Sequence, residues 1–377
     1  ANQRHILSPL PDRNRLEIVG LCFATDFASL ISDKSGQSGG FRYGRLSILR
    51  TKPDKDRPLA QTLQAHLPQA LESTGAGVWP ANCDMGSTLS PEPTMNHPFD
   101  PILAGLADGD VVPYLGAGAL AGVVEPASGR PIPADSDSLI LALNNGQPMA
   151  PKLMFEFPRA AMHVELKKGR SSLKRFLDAT YRDTAWSGSP LYTWLAAQNL
   201  PYLVDTNRDT LLQAEYASRP YTLIVGMARI GGTDYRFRLY HHDGAATREI
   251  GPDDVDASLP VLFKPLGTPL PESNYIASDA DFVDYLTELM GGFAIPGFLK
   301  RARQGRRYLL LGMRLTRDTE RMLLADIAFG AARPAGWALI PNASDKEKRF
   351  LDKLGLQWVN AGVADFLAAA QGRREAA

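Results

Sequence analysis

The sequence lacks the features that define several functional classes. It has only two cysteines, Cys22 and Cys83, with no C-x-x-C spacing, which indicates a reducing compartment and provides no pattern for a zinc site. Its 41 basic and 41 acidic side chains balance, so no charge excess favours nucleic acid as the main partner. There is no run of 18 apolar residues and no signal-peptide pattern. These absences predict a cytoplasmic protein without a membrane span or a metal site.

The sequence does contain enough apolar residues for a large core. Of its 377 residues, 44% are hydrophobic, which is sufficient for two domains or for one large domain with an extension. Residues 82–98 lie within a stretch rich in Gly, Pro, Ser and Asn, which is typical of a linker. We therefore predict an N-terminal extension of unknown role over residues 1–95 and a second domain over residues 96–377.

The most informative stretch is residues 110–120, where a short apolar run leads into two glycines. We predict a buried strand at Val111–Leu115, and Gly116, Gly118 and Ala121 then satisfy the dinucleotide-binding pattern G-x-G-x-x-G/A. Such a turn lets the backbone approach a phosphate, and a helix beginning within residues 119–124 would direct its N-terminal amides at it. Taken alone, this glycine spacing is also typical of an ordinary tight turn.

Strands and helices alternate through the rest of the domain. Buried strands are predicted at residues 200–205, 259–264, 307–312, 336–341 and 357–360, and helices at residues 173–181, 192–198, 278–289, 318–328, 346–354 and 364–370. A hairpin is predicted around Gly231 and Gly232. The alternation indicates an α/β fold built on a parallel sheet.

A polar cluster, residues 205–209 (DTNRD), follows the strand predicted near residue 200. Ligands of open α/β sheets bind beyond the carboxyl ends of the strands, so these side chains are candidates for a binding site. The same residue types directly before Leu211 and Leu212 are also typical of a helix cap. Both interpretations stay open from the sequence alone.

Six stretches, in order and with matching spacing, resemble the SIR2-like domain family. They are VPYLGAGA (112–119), RAAMHVELKKGRSSLKRFL (159–177), LVDTNRDTLL (203–212), VLFKPLGT (261–268), the segment 275–286, and YLLLGMRLTRD (308–318). Together they cover about residues 99–370. They resemble the bacterial SIR2-like group that includes NAD⁺-hydrolysing members, some of them antiviral. They do not resemble the zinc-bearing deacetylases, because zinc-ligand cysteines are missing.

The resemblance implies a Rossmann-type sheet that carries a smaller helical module, with NAD⁺ or an ADP-ribose-type nucleotide in the cleft between them and no metal. It also implies a set of cofactor-binding residues. Backbone amides of the first glycine loop would hold the pyrophosphate, and the second glycine strand would lie under the adenosine half. These residues are Gly116, Ala117, Gly118 and Ala119 in the first loop, and Gly312, Met313 and Arg314 in the second.

The polar cluster supplies the candidate catalytic residues. By resemblance, Asn207 matches the asparagine that positions water or a ribose hydroxyl, and Asp209 matches the aspartate that supports it. The implied reaction is cleavage of the nicotinamide–ribose bond. Because nicotinamide leaves readily, the protein must mainly stabilise an oxocarbenium-like state and position a nucleophile.

This chain departs from the family pattern at the expected site. Leu266 stands where the family has its general base, a histidine, and such bases contribute roughly 10²–10⁴-fold to rates. Ala119, Asp205 and Tyr192 also replace a serine, a threonine and a histidine. Asp205 is the candidate compensating base, provided that its pKa is raised. The remaining candidates are His241 and His242, which lie outside the matching stretches, and His163, which lies on a predicted helix. All three are predicted to be surface or structural histidines.

Two functions therefore remain in competition. The first is a protein that binds NAD⁺ or a related nucleotide without efficient turnover, as a sensor or scaffold, which the replacement at Leu266 favours. The second, which the resemblance favours, is an NAD⁺ glycohydrolase of the antiviral-defence type. A Rossmann dehydrogenase fits less well, because Asp135 and Asp137 lie in a proline-rich stretch rather than at the end of a second strand. The resemblance also implies a homo-oligomer, and residues 1–95 are a candidate surface for a protein partner.

Overall fold

The computed structural model describes residues 98–230 and 235–376. The predicted extension over residues 1–95 and the hairpin glycines Gly231 and Gly232 lie outside the described residues. In the described part, strands and helices alternate as predicted for an α/β protein.

The strands are β1 (Val111–Leu115), β2 (Tyr202–Asp205), β3 (Pro220–Gly226), β4 (Phe237–Asp243), β5 (Thr247–Ile250), β6 (Val261–Lys264), β7 (Gly267–Thr268), β8 (Asn274–Tyr275), β9 (Arg307–Leu311), β10 (Gly336–Leu339) and β11 (Leu356–Val359). The α-helices are α1 (Asp100–Ala107), α2 (Ser136–Leu143), α3 (Phe157–Lys168), α4 (Arg170–Tyr181), α5 (Pro190–Ala196), α6 (Leu211–Glu215), α7 (Asp279–Met290), α8 (Gly297–Ala302), α9 (Asp318–Ile327), α10 (Asp345–Leu354) and α11 (Val363–Ala376).

Nine of the described strands form one sheet in the order β11-β10-β9-β1-β2-β6-β3-β4-β5. Neighbouring strands from β11 to β3 are parallel, whereas β4 and β5 are antiparallel and close one edge. Helices α2 to α5 lie between β1 and β2 in the chain, and α2, α3 and α4 pack against one another as the smaller helical module. The predicted fold, a Rossmann-type parallel sheet with a helical module, is confirmed.

Helices cover both faces of the sheet, which explains why the central strands are continuous apolar runs. All five residues of β1 are buried, as expected when both faces of a parallel strand are covered. Alternate side chains enter two separate cores: Val111 and Leu115 pack with α1 to α6 and α11, and Val112 and Tyr114 pack with α7 to α10. None of the described helices is long and apolar enough to cross a membrane.

The prediction that a helix begins within residues 119–124 is wrong. The first glycine loop instead forms a single 3₁₀ turn over Ala117–Leu120, after which Ala121 returns to an extended conformation. Because this turn has only four residues and no helix continues from it, it lacks the aligned peptide dipoles with which a longer helix attracts an anion. Strands β5, β7 and β8 and the short helix α8 were not predicted, because they are short and only partly apolar.

Candidate functional site

A cleft of about 790 Å³ opens at the carboxyl ends of the central strands. Strand β1 lies between β2 and β9, and the chain proceeds from β1 to β2 on one side before it crosses later to β9 on the other. The junction of β1 and β9 is therefore the topological switch point of the sheet, where open α/β folds bind ligands. The loops that follow β1, β2 and β9 all contribute to the lining, as does the start of α3. The volume is within the range of small-molecule sites.

The two glycine loops bind each other at the floor of this cleft. The amide of Gly116 donates to the carbonyl of Leu311 (2.9 Å), and the amide of Gly118 donates to the carbonyl of Gly312 (2.8 Å). The amide of Ala119 donates back to Gly116 (2.9 Å). Three of the four amides expected to hold a pyrophosphate are thus used within the protein, which leaves the amide of Ala117 for an anion.

Close contact between the loops also explains the glycines themselves. A Cβ atom on Gly116 would lie 2.4 Å from Met313 Sδ, and one on Gly118 would lie 2.7 Å from the Cα of Gly312. Gly312 has φ +69°, and its Cβ would lie 2.4 Å from the nitrogen of Ala119. Side chains at these positions would push the loops apart, so the spacing that resembles a dinucleotide motif is required first by packing.

Asn207, which is 6% exposed, lies in the cleft wall with its amide group fixed by neighbours. Its Nδ2 lies within hydrogen-bond distance of three acceptors, which share its two hydrogens. They are the carbonyl of Gly116 (2.9 Å), the hydroxyl of Tyr192 (3.0 Å) and Oδ1 of Asp205 (3.0 Å). Because a carbonyl and a carboxylate only accept hydrogen bonds, the nitrogen end must face them. Oδ1 of Asn207 is the polar atom left for a ligand, and it can only accept a hydrogen bond.

Asp205 supports Asn207 from behind and does not line the cleft. Its Oδ2 forms an ion pair with Lys264 (2.7 Å), and its Oδ1 accepts hydrogen bonds from the main-chain amide of Asn207 (3.0 Å) and the hydroxyl of Tyr192 (3.2 Å). Both carboxylate oxygens are therefore engaged. This geometry argues against the prediction that Asp205 replaces the missing base.

Asp209 is fully buried, lies outside the cleft lining and forms a side-chain turn directly before α6, whose N-cap is Thr210. Its Oδ1 accepts a hydrogen bond from the amide of Leu211 (2.8 Å) at the start of α6, whereas its Oδ2 has no partner in the described chain. Burial raises the pKa of Asp209 to about 6, against the opposing effect of Lys264. Asp209 is therefore not the N-cap of α6, although one of its oxygens is used in the turn before this helix, and its catalytic role stays a prediction.

The other predicted residues divide between the cleft and the core. Leu266 lines the cleft, as do Gly312, Met313 and Arg314. Tyr192 is fully buried and serves the Asn207–Asp205 network.

None of the three histidines lines the cleft. The ring of His242 instead bonds the hydroxyl of Thr247 (2.9 Å) and the carbonyl of Ala217 (2.8 Å), as predicted for a structural histidine.

Several polar residues of the cleft lining were not predicted, among them Tyr114, Glu156, Arg317 and Glu320. Arg208, a member of the predicted polar cluster 205–209, also faces the cleft. The hydroxyl of Tyr114 and Oε2 of Glu320 are buried without a partner in the described residues, and Glu156 accepts a hydrogen bond from the hydroxyl of Thr319. Burial raises the pKa of Glu320 to about 8. No local pattern marked Tyr114, Glu156 or Glu320, because burial and pairing depend on the tertiary structure.

Among the described residues, no group of three His, Cys, Asp or Glu side chains is arranged to hold a metal ion.

A comparison with protein-family models finds none that matches this chain, and a comparison with curated proteins finds no match either. The likeness to SIR2-like domains therefore rests on six stretches of the sequence alone.

Proposed function

We propose that this chain is a SIR2-like protein that binds NAD⁺ or an ADP-ribose-type nucleotide in the cleft and does not turn it over efficiently. The observation that carries this proposal is the convergence of both glycine loops and Asn207 in one cleft at the switch point of the sheet. A nucleotide ribose presents hydroxyl donors, which match the acceptor that Asn207 leaves for a ligand.

Weak turnover follows from the side chains around Asn207. Leu266 lines the cleft at the position of the family's base and has no group that takes up a proton. Asp205, the candidate compensating base, is bound to Lys264 and lies outside the cleft lining. Neither residue can assist an attacking water, so binding is favoured over hydrolysis.

The experiment is proton NMR of the purified full chain with NAD⁺, recorded over hours. We expect NAD⁺ lines that broaden with the wild type and sharpen with Asn207→Ala, without free nicotinamide. Asn144→Ala, which removes an asparagine outside the cleft, is the matched control and should behave as the wild type. Melting temperatures of all variants show whether each protein is folded. No broadening with a folded wild type contradicts nucleotide binding.

An NAD⁺ glycohydrolase is the second candidate, because two carboxyl groups, Glu156 and Glu320, line the same cleft. Release of nicotinamide by the wild type, lost in Glu320→Gln, would favour it over the binding protein. Leu266→His provides a complementary test. If the cleft holds NAD⁺ in the family's manner, restoring the histidine should raise nicotinamide release, by up to about 10²-fold or more.

A further inference from the structure

Arg208 is a buried arginine in the wall of the cleft. It is 7% exposed and directly follows Asn207. Its Nε and Nη2 both donate to one carbonyl, that of Ile276 (3.1 and 2.6 Å), and its guanidinium lies 5.5 Å from the ring centre of Phe157. Nη1 makes no hydrogen bond to the described residues. The guanidinium is therefore held in place while part of its donor set is unused.

No carboxylate among the described residues pairs with Arg208. The one carboxylate that acts on it electrostatically is Asp281, and Asp281 already binds Arg170 (2.6 Å) and Arg229 (2.7 Å). Tyr181 and Tyr275 also face Arg208, but burial raises the pKa of both hydroxyls, so they are neutral at physiological pH. Burial lowers the pKa of Arg208 itself, as expected for a charge removed from water without a counter-charge.

The first glycine loop offers few free hydrogen-bond donors to an anionic ligand, and Arg208 can supply them. Three of its four amides are bonded within the protein, so the loop supplies little of the anion binding that its sequence pattern suggests. Arg208 lines the same cleft. A guanidinium presents donors in a rigid plane that fits the two oxygens of a phosphate or a carboxylate.

We propose that Arg208 binds an oxyanion of the ligand and so makes the cleft selective for anionic nucleotides. The inference deepens the proposed function and rests on it for the nucleotide part of the ligand only. The oxyanion is either the phosphate of a nucleotide or a carboxylate on its base, and both meet the same guanidinium chemistry.

The test is isothermal titration calorimetry of the full chain with matched ligands. ADP-ribose and inorganic pyrophosphate carry phosphate, whereas adenosine is uncharged. Hydrogen bonds to charged groups contribute about 1.5–3 kcal/mol. If the phosphate is the partner, Arg208→Gln should therefore weaken the binding of ADP-ribose about 10- to 100-fold and leave adenosine unchanged. Arg208→Lys keeps the positive charge but lacks the planar guanidinium. Its affinity for ADP-ribose should therefore lie between those of the wild type and Arg208→Gln.

A second ligand pair separates the two oxyanions. Nicotinic acid adenine dinucleotide differs from NAD⁺ by a carboxylate in place of the carboxamide. If Arg208→Gln weakens both dinucleotides and pyrophosphate equally, the phosphate is the partner. If it weakens only the carboxylate form, the carboxylate is the partner.

Arg219→Gln is the matched control. The guanidinium of Arg219 likewise bonds a main-chain carbonyl, that of Ala196, and lies 4.0 Å from the ring centre of Tyr216, but it does not line the cleft. This variant should bind all ligands as the wild type does. A variant at Arg208 that loses adenosine as strongly as ADP-ribose would show a structural role and overturn the proposal.

The wild type alone also tests the inference, in case the variants at Arg208 do not fold. Adenosine binding as tight as ADP-ribose binding overturns it, as does the absence of binding by every anionic probe. Binding of pyrophosphate without binding of NAD⁺ or ADP-ribose would reject the proposed function and leave the inference standing. Tight NAD⁺ binding that is unchanged in folded Arg208→Gln would support the proposed function and overturn the inference about Arg208.

Discussion

Lys264 and Asp205 form an ion pair that is almost wholly shielded from water, with side chains 0% and 1% exposed. Removing one member leaves a buried charge without its partner. Lys264→Met should therefore lower the free energy of unfolding by about 3–5 kcal/mol at neutral pH. Urea denaturation followed by circular dichroism measures the change.

The double variant Asp205→Asn, Lys264→Met tests the cause of that loss. Because both charges are then absent, it should be less destabilised than the sum of the two single variants. Additive effects would mean that the pair does not interact as its geometry implies.

Glu320 should make stability depend on pH in the neutral range. Its pKa is about 8 in the folded protein, above its ordinary value of 4.5, so the folded state holds a proton that the unfolded state releases between these values. Stability is therefore lost as pH rises through that window. Between pH 6 and 8, the wild type should lose about 2 kcal/mol more than Glu320→Gln. Urea denaturation at each pH measures the difference.

Asp326 provides the control on the same helix. Burial raises its pKa to about 6, so Asp326→Asn should alter the pH dependence below pH 6 and leave the range from 6 to 8 as in the wild type. Parallel profiles for Glu320→Gln and the wild type between pH 6 and 8 would show that Glu320 is not held neutral.

Single residues differed in how well the sequence predicted them. The position of Asn207 beside the glycine loop follows from a polar residue directly after a buried strand, which is a local pattern. The ion pair of Asp205 with Lys264, in contrast, joins the ends of β2 and β6, which are distant in the sequence. Arg208 has no carboxylate partner among the described residues, and this too is a property of the tertiary structure. Partners that are distant in the sequence, or missing, leave no local pattern.

Among elements, the contact between the two glycine loops depends on positions that accept no side chain. Gly312 combines φ +69° with a Cβ position 2.4 Å from the nitrogen of Ala119. Gly312→Ala should lower the free energy of unfolding by about 4 kcal/mol or more, since both strain and a backbone clash result. Thermal and urea denaturation measure the loss.

Gly305→Ala separates the clash from the strain. Gly305 has nearly the same dihedral, φ +70°, but no atom lies within 4 Å of its Cβ position. This variant should lose only about 1–2 kcal/mol, the usual cost of a left-handed conformation for a residue with a Cβ. Equal losses at the two positions would mean that the loops can move apart freely.

The elements were predicted best where the pattern was long and apolar. Strands β1, β9 and β10 are buried on both faces, so their sequences carry a continuous apolar run. The pair β7 and β8 has two residues in each strand and forms no recognisable pattern. A helix was predicted to begin within residues 119–124, whereas the chain forms only the 3₁₀ turn at Ala117–Leu120 and then becomes extended at Ala121, because small residues are compatible with either conformation.

On the scale of the whole molecule, ligand binding in the cleft should protect segments that are far apart in the sequence. If the proposed function is correct, ADP-ribose at 100 times its dissociation constant stabilises the fold by about 2.7 kcal/mol. Hydrogen exchange should slow at residues 116–122, 206–211 and 312–318. The hairpin of β4 and β5, at one edge of the sheet, is the internal control and should be unchanged.

The pairing of β1 with β9 has a consequence for synthesis of the protein. Val111 pairs with Arg307, although most of the domain separates them in the chain. While the ribosome is still making the intervening residues, one edge of the apolar β1 has no partner strand, and exposed edges of this kind favour aggregation. The floor of the cleft is completed only when β9 emerges. If the proposed function is correct, a nascent chain therefore cannot bind the nucleotide until β9 has been translated.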